Sequence, residues 1–470
     1  MTPSSRYMIL DTALALVEGV PLCDRCLGRQ FAWLSTDSSN LERGRLIKLL
    51  MSMAAEQNIK SGNGDWGKRV LAVLAGHGMF EPARKLAEKY AVEYEQYGEC
   101  SLCTLNGRSI FEIIPDIVEH AAQELETIEF STFLAGCRPN PRLADMEDEL
   151  RANYHILYGE TLKSDFNREF GKQLRARLGK TPEFQHPDVV VIYDMVADKI
   201  QLQISPIFVY GRYRKLQRGI PQSRWDCKAC GGKGCEKCGW TGRRYPDSIA
   251  EYVGEPMMEA ARGTQYKFHA AGREDIDALM LGNGRPFVVE ISQPKVRTLD
   301  LEAVAREINR RAEGKVEVIE LRTADRELGQ LLKKESSENV KEYEALIETE
   351  ESVDDDTLKR AEEALHNVVI QQRTPTRVAH RRADKVRPKL VYEVKLKKRD
   401  DGLLHGFFRV QGGTYIKELI SGDDGRTTPS VAELIGTPAV CVELNVVGIR
   451  EKEENQDTAD VEPATPDHNA

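Results

Sequence analysis

The 470-residue sequence lacks any run of about 18 uninterrupted apolar residues, so no segment qualifies as a membrane-spanning helix. A secretory leader is not expected either. The N-terminal stretch MTPSSRYMILDTALALVEGV carries Asp11 and Glu18 inside its short apolar run and reads as the first helix of a cytoplasmic protein. There is no repeat of roughly 20 to 50 residues, which excludes a solenoid, and no Gly-rich dinucleotide or methyl-donor fingerprint after a strand. The nearest approach to a phosphate-binding loop, GNGDWGKR from Gly62 to Arg69, ends in Arg69 where a magnesium-binding Ser or Thr is required, and no strand precedes it. Nucleotide hydrolysis is therefore not expected.

Positive charge is also short overall, with a formal net charge of −9. That shortage is local. Residues Glu348–Glu363 hold 8 acidic and 2 basic side chains, and residues 451–470 hold 7 and 1, so the rest of the chain is slightly basic. Between Tyr210 and Tyr245 ten Lys or Arg face two acids, and between Arg373 and Arg399 eleven face two. A charge run is usually a solvated face, but two such tracts in an acidic chain suit a polyanionic ligand.

Ten cysteines in a chain that reads as intracellular point to metal binding or catalysis before disulfides. Cys227, Cys230, Cys235 and Cys238 form C-x2-C-x4-C-x2-C in WDCKACGGKGCEKCGWTG, where two thiolate pairs converge into the tetrahedral shell that zinc prefers. A redox dithiol or an iron–sulfur cluster would use the same thiolates. A closed four-thiolate shell leaves no coordination position for substrate, so the role expected is structural. Two further pairs, Cys23 with Cys26 and Cys100 with Cys103, suit a second zinc shared across an intervening segment. Cys137 and Cys441 stand alone in apolar surroundings and read as small buried hydrophobes.

Periodicity divides the chain. Three- and four-residue apolar spacing predicts helices through most of the first 180 residues, as in LERGRLIKLLMSMAAEQ and SDFNREFGKQLRARLGK. PDVVVIYDM and KIQLQIS then read as paired strands. Beyond Tyr245 strands and helices mix: FVVEIS, a helix over Leu299–Glu313, VEVIELR, KEYEALI, LVYEVKLKK, FFRV and VCVELNVVGI. This order predicts an α+β fold around a mixed, largely antiparallel sheet. The expected layout is an accessory region at 1–245, a catalytic domain at 246–450 and a disordered acidic tail at 451–470.

One short stretch asks for more than structure. GREDIDALMLGNGRPFVVEIS, Gly272–Ser292, places Arg273, Glu274 and Asp275 just before a clear strand. The triplet could be a solvated turn, or Asp275 could cap a helix starting near Ile276.

Six motifs in one order favour a different reading. They are SPIFVYGRYRKLQRGIPQSRW, the cysteine knuckle, GREDIDALMLGNGRPFVVEI, KEYEALI, QQRTPTRVAHRRADKVRPK and QGGTYIKELISGDDGRTTPS. From about Cys23 to Ile449 the sequence resembles the archaeal tRNA pseudouridine synthase family that acts on uridines 54 and 55 of the T arm. The resemblance implies a pseudouridine synthase-type catalytic domain and an N-terminal zinc-binding α/β region with a THUMP-type RNA-binding module at about 80–206. It makes Asp275 the nucleophile, Tyr343 and Tyr415 the tyrosines that contact the substrate, and Lys417 a basic residue set against the aspartate. Arg212, Arg214, Lys215 and Arg218, with Arg373, Arg377, His380, Arg381 and Arg382, would then grip phosphates. The implied partner is tRNA through its T arm, with structural zinc, no organic cofactor and no obligate protein partner. The resemblance does not say whether Asp275 attacks the sugar or the base. The competing class is a non-catalytic zinc-containing tRNA-binding or RNA-chaperone protein.

Overall fold

The computed structural model describes residues 8–62, 64–335 and 339–450, so the acidic tail at 451–470 lies outside the described residues. Two compact units meet between Ser205 and Pro206.

The first unit opens with helices α1 (Met8–Gly19), α2 (Asp24–Arg29), α3 (Asn40–Lys60), α4 (Asp65–Ala75) and α5 (Glu81–Lys89). The α3 helix starts where Ser39 accepts the Glu42 N–H, and it buries Arg43, Lys48, Met51, Ser52 and Ala55 at three- and four-residue spacing. It packs against α2 at Gly28 and Gly44, where a β carbon on either residue would collide with the other helix's backbone. A two-residue ladder, β1 (Thr104–Leu105) with β2 (Arg108–Ser109), precedes α6 (Ile114–Leu125). There follow β3 (Thr132–Arg138), α7 (Pro141–Asn153), α8 (Leu162–Leu178), β4 (Thr181–Pro182), β5 (Val189–Asp194) and β6 (Lys199–Ile204).

The paired strands expected from PDVVVIYDM and KIQLQIS are β5 and β6, antiparallel in a sheet of order β4-β3-β5-β6. The strand β3 interrupts a region whose periodicity reads as helical. It pairs in parallel with β5, which fixes its hydrogen bonds from outside its own sequence. Phe166, Phe170 and Leu174 of α8 pack on Phe133, Val189 and Val191 of this sheet, each large apolar side chain contributing about 1.5–3 kcal/mol by burial.

The second unit is built on one ten-stranded sheet. Its elements in chain order are β7 (Ile207–Lys215), α9 (Ile249–Ala260), β8 (Gln265–Ala270), β9 (Leu279–Ser292), α10 (Leu301–Arg311), β10 (Val316–Ala324), α11 (Arg326–Glu335), β11 (Val340–Thr349) and α12 (Asp355–Ala364). They continue with β12 (Val368–Arg373), β13 (Val386–Lys398), β14 (Leu404–Gln411), α13 (Ile416–Ser421), β15 (Thr427–Thr428), α14 (Val431–Ile435) and β16 (Ala439–Arg450). The strand order is β10-β7-β9-β16-β11-β14-β13-β12-β15, with β8 on β9. Every pairing in it is antiparallel except β16 with β9, so the mixed, largely antiparallel sheet expected from the sequence is present.

The division at Ser205 falls before the Tyr245 boundary expected from sequence, because β7 pairs with both β10 and β9 and is an interior strand of the second sheet. The cysteine knuckle is an excursion between β7 and α9. The segment TYIKEL runs into a helix. Gly412 and Gly413 end β14, and Ile416, Leu419 and Ile420 then bury one face of a short helix, α13.

Candidate active site and metal centres

The loop from Ala271 to Ala278 joins β8 to β9, and its carbonyls are held by side chains of β7, of the segment after it and of β9. Lys215 Nζ donates to the carbonyls of Asp275 (3.1 Å), Ile276 (3.0 Å) and Ile220 (3.1 Å). Gln222 Nε2 donates to Gly272 O at 2.8 Å, Arg285 Nη1 to Ala271 O at 2.8 Å, and Arg218 Nη1 to Asp277 O at 2.6 Å. Inside the turn, Glu274 is buried. Its carboxylate accepts from Arg285 Nε at 2.8 Å and from the Tyr213 hydroxyl at 2.9 Å. A buried carboxylate is tolerable only with such partners. Asp275 is no helix cap: it sits in a braced turn with its side chain 34 % exposed.

That carboxyl group faces a cavity of about 620 Å³ lined by Tyr343, Arg377, Arg382, Tyr415 and Lys417, with Ile416, Leu444 and Val446 as apolar wall. Three separate stretches of chain supply the four residues singled out from sequence, Tyr415 and Lys417 coming from one of them. Tyr343 projects from β11, opposite Val446 of β16 and Phe408 of β14. Burial pushes its phenol up to about 12, with the Arg285 cation opposing. Tyr415 precedes α13, and the buried Gln372 amide clamps its backbone by accepting the Tyr415 N–H at 2.7 Å and donating to its carbonyl at 3.0 Å. Arg382 Nη1 donates to the Tyr415 hydroxyl at 2.8 Å.

Two cations approach Asp275. Arg377 Nη1 lies 3.1 Å from Asp275 Oδ2 while its Nε holds Glu418 at 2.6 Å. Lys417 Nζ lies 4.0 Å from Asp275 Oδ2 and 2.7 Å from Asp277 Oδ2. The nearer base at Asp275 is thus Arg377, which sequence reasoning had set on phosphates. Although partial burial would raise it, the Asp277 carboxyl is held below the usual carboxylate range by the Lys417 hydrogen bond and charge.

The other basic candidates divide. Arg212 and Lys215 are buried, at 4 % and 0 % exposure, and their contacts lie inside the protein. The cause is topological: both lie on an interior strand, where Arg212 reaches Gly284 O and Glu320 and Lys215 holds the Asp275 loop. Arg214 bonds Gly282 O and pairs with Glu317, and Arg218 binds Glu443 and Asn445. Arg373 pairs with Asp384, and His380 and Arg382 are exposed. The Arg381 side chain lies outside the described residues.

The cysteines form two separate sets. The sulfur atoms of Cys23, Cys26, Cys100 and Cys103 lie within 4.8 Å of one another in the first unit, and those of Cys227, Cys230, Cys235 and Cys238 do so in the second. Each set fits one tetrahedral ion and could hold a metal. In the knuckle the backbone N–H groups of Cys235 and Gly242 donate to Cys238 Sγ and bring this thiol down to about 6, against the opposing effect of burial. In the first set Arg29 Nη1 donates to Cys26 Sγ at 3.4 Å, placing a buried cation beside the thiolates. Cys137 is buried as expected, whereas Cys441 is half-buried and donates to Glu443 O. Among the described residues no helix is long and apolar enough to cross a membrane.

Sequence reasoning missed the braces. Glu274, Lys215, Gln372 and Arg377 position the site, and nothing in their local spacing distinguishes them from surface charge. Only Glu274, adjacent to Asp275 and followed by Arg285 on the next strand, carried a usable signal.

Comparison with known families agrees with this arrangement. Residues 208–450 match the family described as Pus10, C-terminal, and residues 117–194 match the Pus10 THUMP domain, archaeal. The tRNA pseudouridine synthase Pus10 of Methanothrix thermoacetophila is 44% identical over 441 residues, covering 94% of this chain and 94% of its own. The protein of the same name from Methanocaldococcus jannaschii is 42% identical over 458 residues, covering 96% of each chain.

Proposed function

The chain belongs to the Pus10 family of tRNA pseudouridine synthases, and from that premise we propose that it isomerises uridines 54 and 55 in the T arm of tRNA with Asp275 as nucleophile. The observation that carries this reading is convergence: Asp275, Tyr343, Tyr415 and Lys417 line one cavity although they come from three separate stretches of chain. Pseudouridine formation breaks the C1′–N1 bond, turns the uracil and joins C1′ to C5, with the C5 proton lost and one gained at N1. No electron leaves the nucleoside, so no organic cofactor is needed.

Each part of the cavity has a task in that reaction. The target base leaves its stack to be reached, and the Tyr343 and Tyr415 rings offer it surfaces to lie against. Arg377 and Lys417 orient the Asp275 carboxylate, and the loop beneath it is braced so that no reorganisation accompanies attack. Exposed basic side chains at the rim, Arg273 and Arg382, are placed to meet phosphates. Each cysteine set would hold one zinc ion as scaffold, since four thiolates leave no position for substrate. The chain then acts in the cytoplasm, where tRNA is its partner.

The test is an unmodified tRNA transcript with position-resolved detection of pseudouridine. Wild type should form product at positions 54 and 55. Asp275→Ala should form none while tRNA affinity stays within about threefold, because the carboxylate contributes to the chemical step. Product from the alanine variant would remove Asp275 from its role. An inactive wild type that binds tRNA tightly would instead favour a non-catalytic tRNA-binding protein.

A further inference from the structure

Three lysines of the described residues are almost wholly enclosed, and two of them explain themselves. Lys48 donates to Leu22 O, Gly78 O and Asp24, and Lys215 donates to three carbonyls. The third, Lys341, is only 6 % exposed, yet among the described residues its side-chain nitrogen has no hydrogen bond or ion pair. An amine with no protein partner, on a side chain this nearly buried that lines the cavity, is available to a ligand there.

Its position says which ligand. Lys341 lies on β11 two residues before Tyr343, so both side chains leave the same face of the strand, and both line the cavity that holds Asp275. A β carbon on Gly272, at the root of the Asp275 loop, would sit 3.2 Å from both Lys341 Nζ and Arg285 Nη1. Gly272 has a φ of +83°, in the region that favours glycine, so the amine approaches bare backbone there. The carboxylate nearest this pair, Glu274, is already taken by Arg285 and Tyr213.

Building on the reading of the site as a pseudouridine synthase, we propose that Lys341 contacts the substrate, donating a hydrogen bond to a carbonyl oxygen of the target uracil, O2 or O4. The chemistry needs a donor there. If Asp275 attacks C1′, the C1′–N1 electron pair departs with the uracil and spreads onto both carbonyl oxygens. If Asp275 adds to C6, the displaced pair resides on O4. On the first route C5 then bonds to C1′ as the Asp275–C1′ bond breaks; on the second C5 bonds to C1′ as the C1′–N1 bond breaks, and the Asp275–C6 bond breaks afterwards. In both routes the aspartate leaves as a carboxylate, the C5 proton is lost and N1 gains one. A cationic donor is most valuable while that negative charge exists. Burial, with the Arg285 and Lys389 cations, pushes the free Lys341 amine down to about 7, so arrival of the anion would favour its protonated form.

The experiment uses the full chain and an unmodified transcript carrying uridine, 2-thiouridine or 4-thiouridine at the target position. Lys341→Met should lower the single-turnover rate by about 100-fold or more while tRNA affinity stays within about threefold. Lys341→Arg should recover at least about tenfold of that loss, since it restores a donor. Sulfur at the contacted position should slow wild type and leave the Met variant's rate unchanged, because sulfur accepts hydrogen bonds poorly and the variant has no bond to lose. The melting temperature of the Met variant should equal or exceed that of wild type, since a buried unpaired amine is gone. If that variant folds poorly, the Arg variant and the thio substrates still decide. A Lys341→Met rate within about threefold of wild type, or equal thio sensitivity in both proteins, overturns the proposal. A wild type that makes no pseudouridine at all sinks the parent reading instead, and this one with it.

Discussion

Tyr343 and Tyr415 reach the same cavity from different supports, and their hydroxyls have different surroundings. The Tyr415 hydroxyl is engaged by Arg382 at 2.8 Å, whereas the Tyr343 hydroxyl has no hydrogen bond among the described residues and its phenol is pushed up to about 12. Tyr415 is thus placed to offer its ring, and Tyr343 both ring and a protonated hydroxyl. Tyr415→Phe is expected to keep the single-turnover rate within about threefold of wild type, while Tyr415→Ala loses about 1–3 kcal/mol of base stacking. At Tyr343, Phe should be as slow as Ala in the chemical step, with tRNA affinity little changed in either. Single-turnover rates of the four variants check this, and four near-wild-type values would return both rings to a packing role. The tyrosines were legible in the sequence because each sits inside a distinctive motif. Lys215 and Arg212 were not: on paper GRYRK is a basic tract, and only the pairing of β7 with strands on both sides turns it inward. Arg377 was likewise read by its charge and not by its neighbour, since no spacing rule brings it to Asp275.

Among the elements, strands with alternating or continuous apolar runs were recognisable, as β5, β6, β9, β13 and β16 illustrate. Elements whose stability comes from elsewhere were not. The β3 strand depends on its parallel neighbour β5, and α13 on the burial of three apolar residues after a Gly-Gly break. The cysteine knuckle is the opposite case: its spacing alone anticipated four sulfur atoms within 4.8 Å, and Gly231, Gly232, Gly234 and Gly239 adopt positive φ where the chain turns around them. Because the two cysteine sets belong to different units, they should lose metal independently. Purified wild type is expected to contain about two zinc ions per chain. The double variant Cys227→Ser, Cys230→Ser should retain about one, and Cys26→Ser, Cys103→Ser should also retain about one but melt at a lower temperature, because its cysteines are buried in the first unit's core. Metal analysis with thermal melts reads both outcomes, and unchanged zinc content in either double variant would remove that set as a site.

At the scale of the whole molecule, a net charge of −9 conceals how binding of a polyanion would work. Acidic side chains gather in Glu348–Glu363 and 451–470, while the cavity at Asp275 is lined by Arg273, Lys341, Arg377, Arg382 and Lys417. Their contributions to tRNA affinity differ with exposure. Arg273 and Arg382 are exposed and can release counterions from phosphates, whereas Arg212 is enclosed by Gly284 and Glu320 and cannot. The affinity should therefore fall as salt rises, with a log–log slope set by the exposed residues alone. Arg273→Ala and Arg382→Ala should each flatten that slope by roughly 0.7 to 0.9 units, the amount expected for one lost phosphate contact. Arg212→Ala should leave the slope unchanged while lowering the melting temperature, because it strips a buried carbonyl and Glu320 of their partner. Equilibrium tRNA binding across a salt series, paired with thermal melts, separates these effects. A flattened slope for Arg212→Ala would mean that β7 opens to expose that side chain when RNA binds, and a salt-independent affinity for wild type would remove phosphate contact as the source of binding.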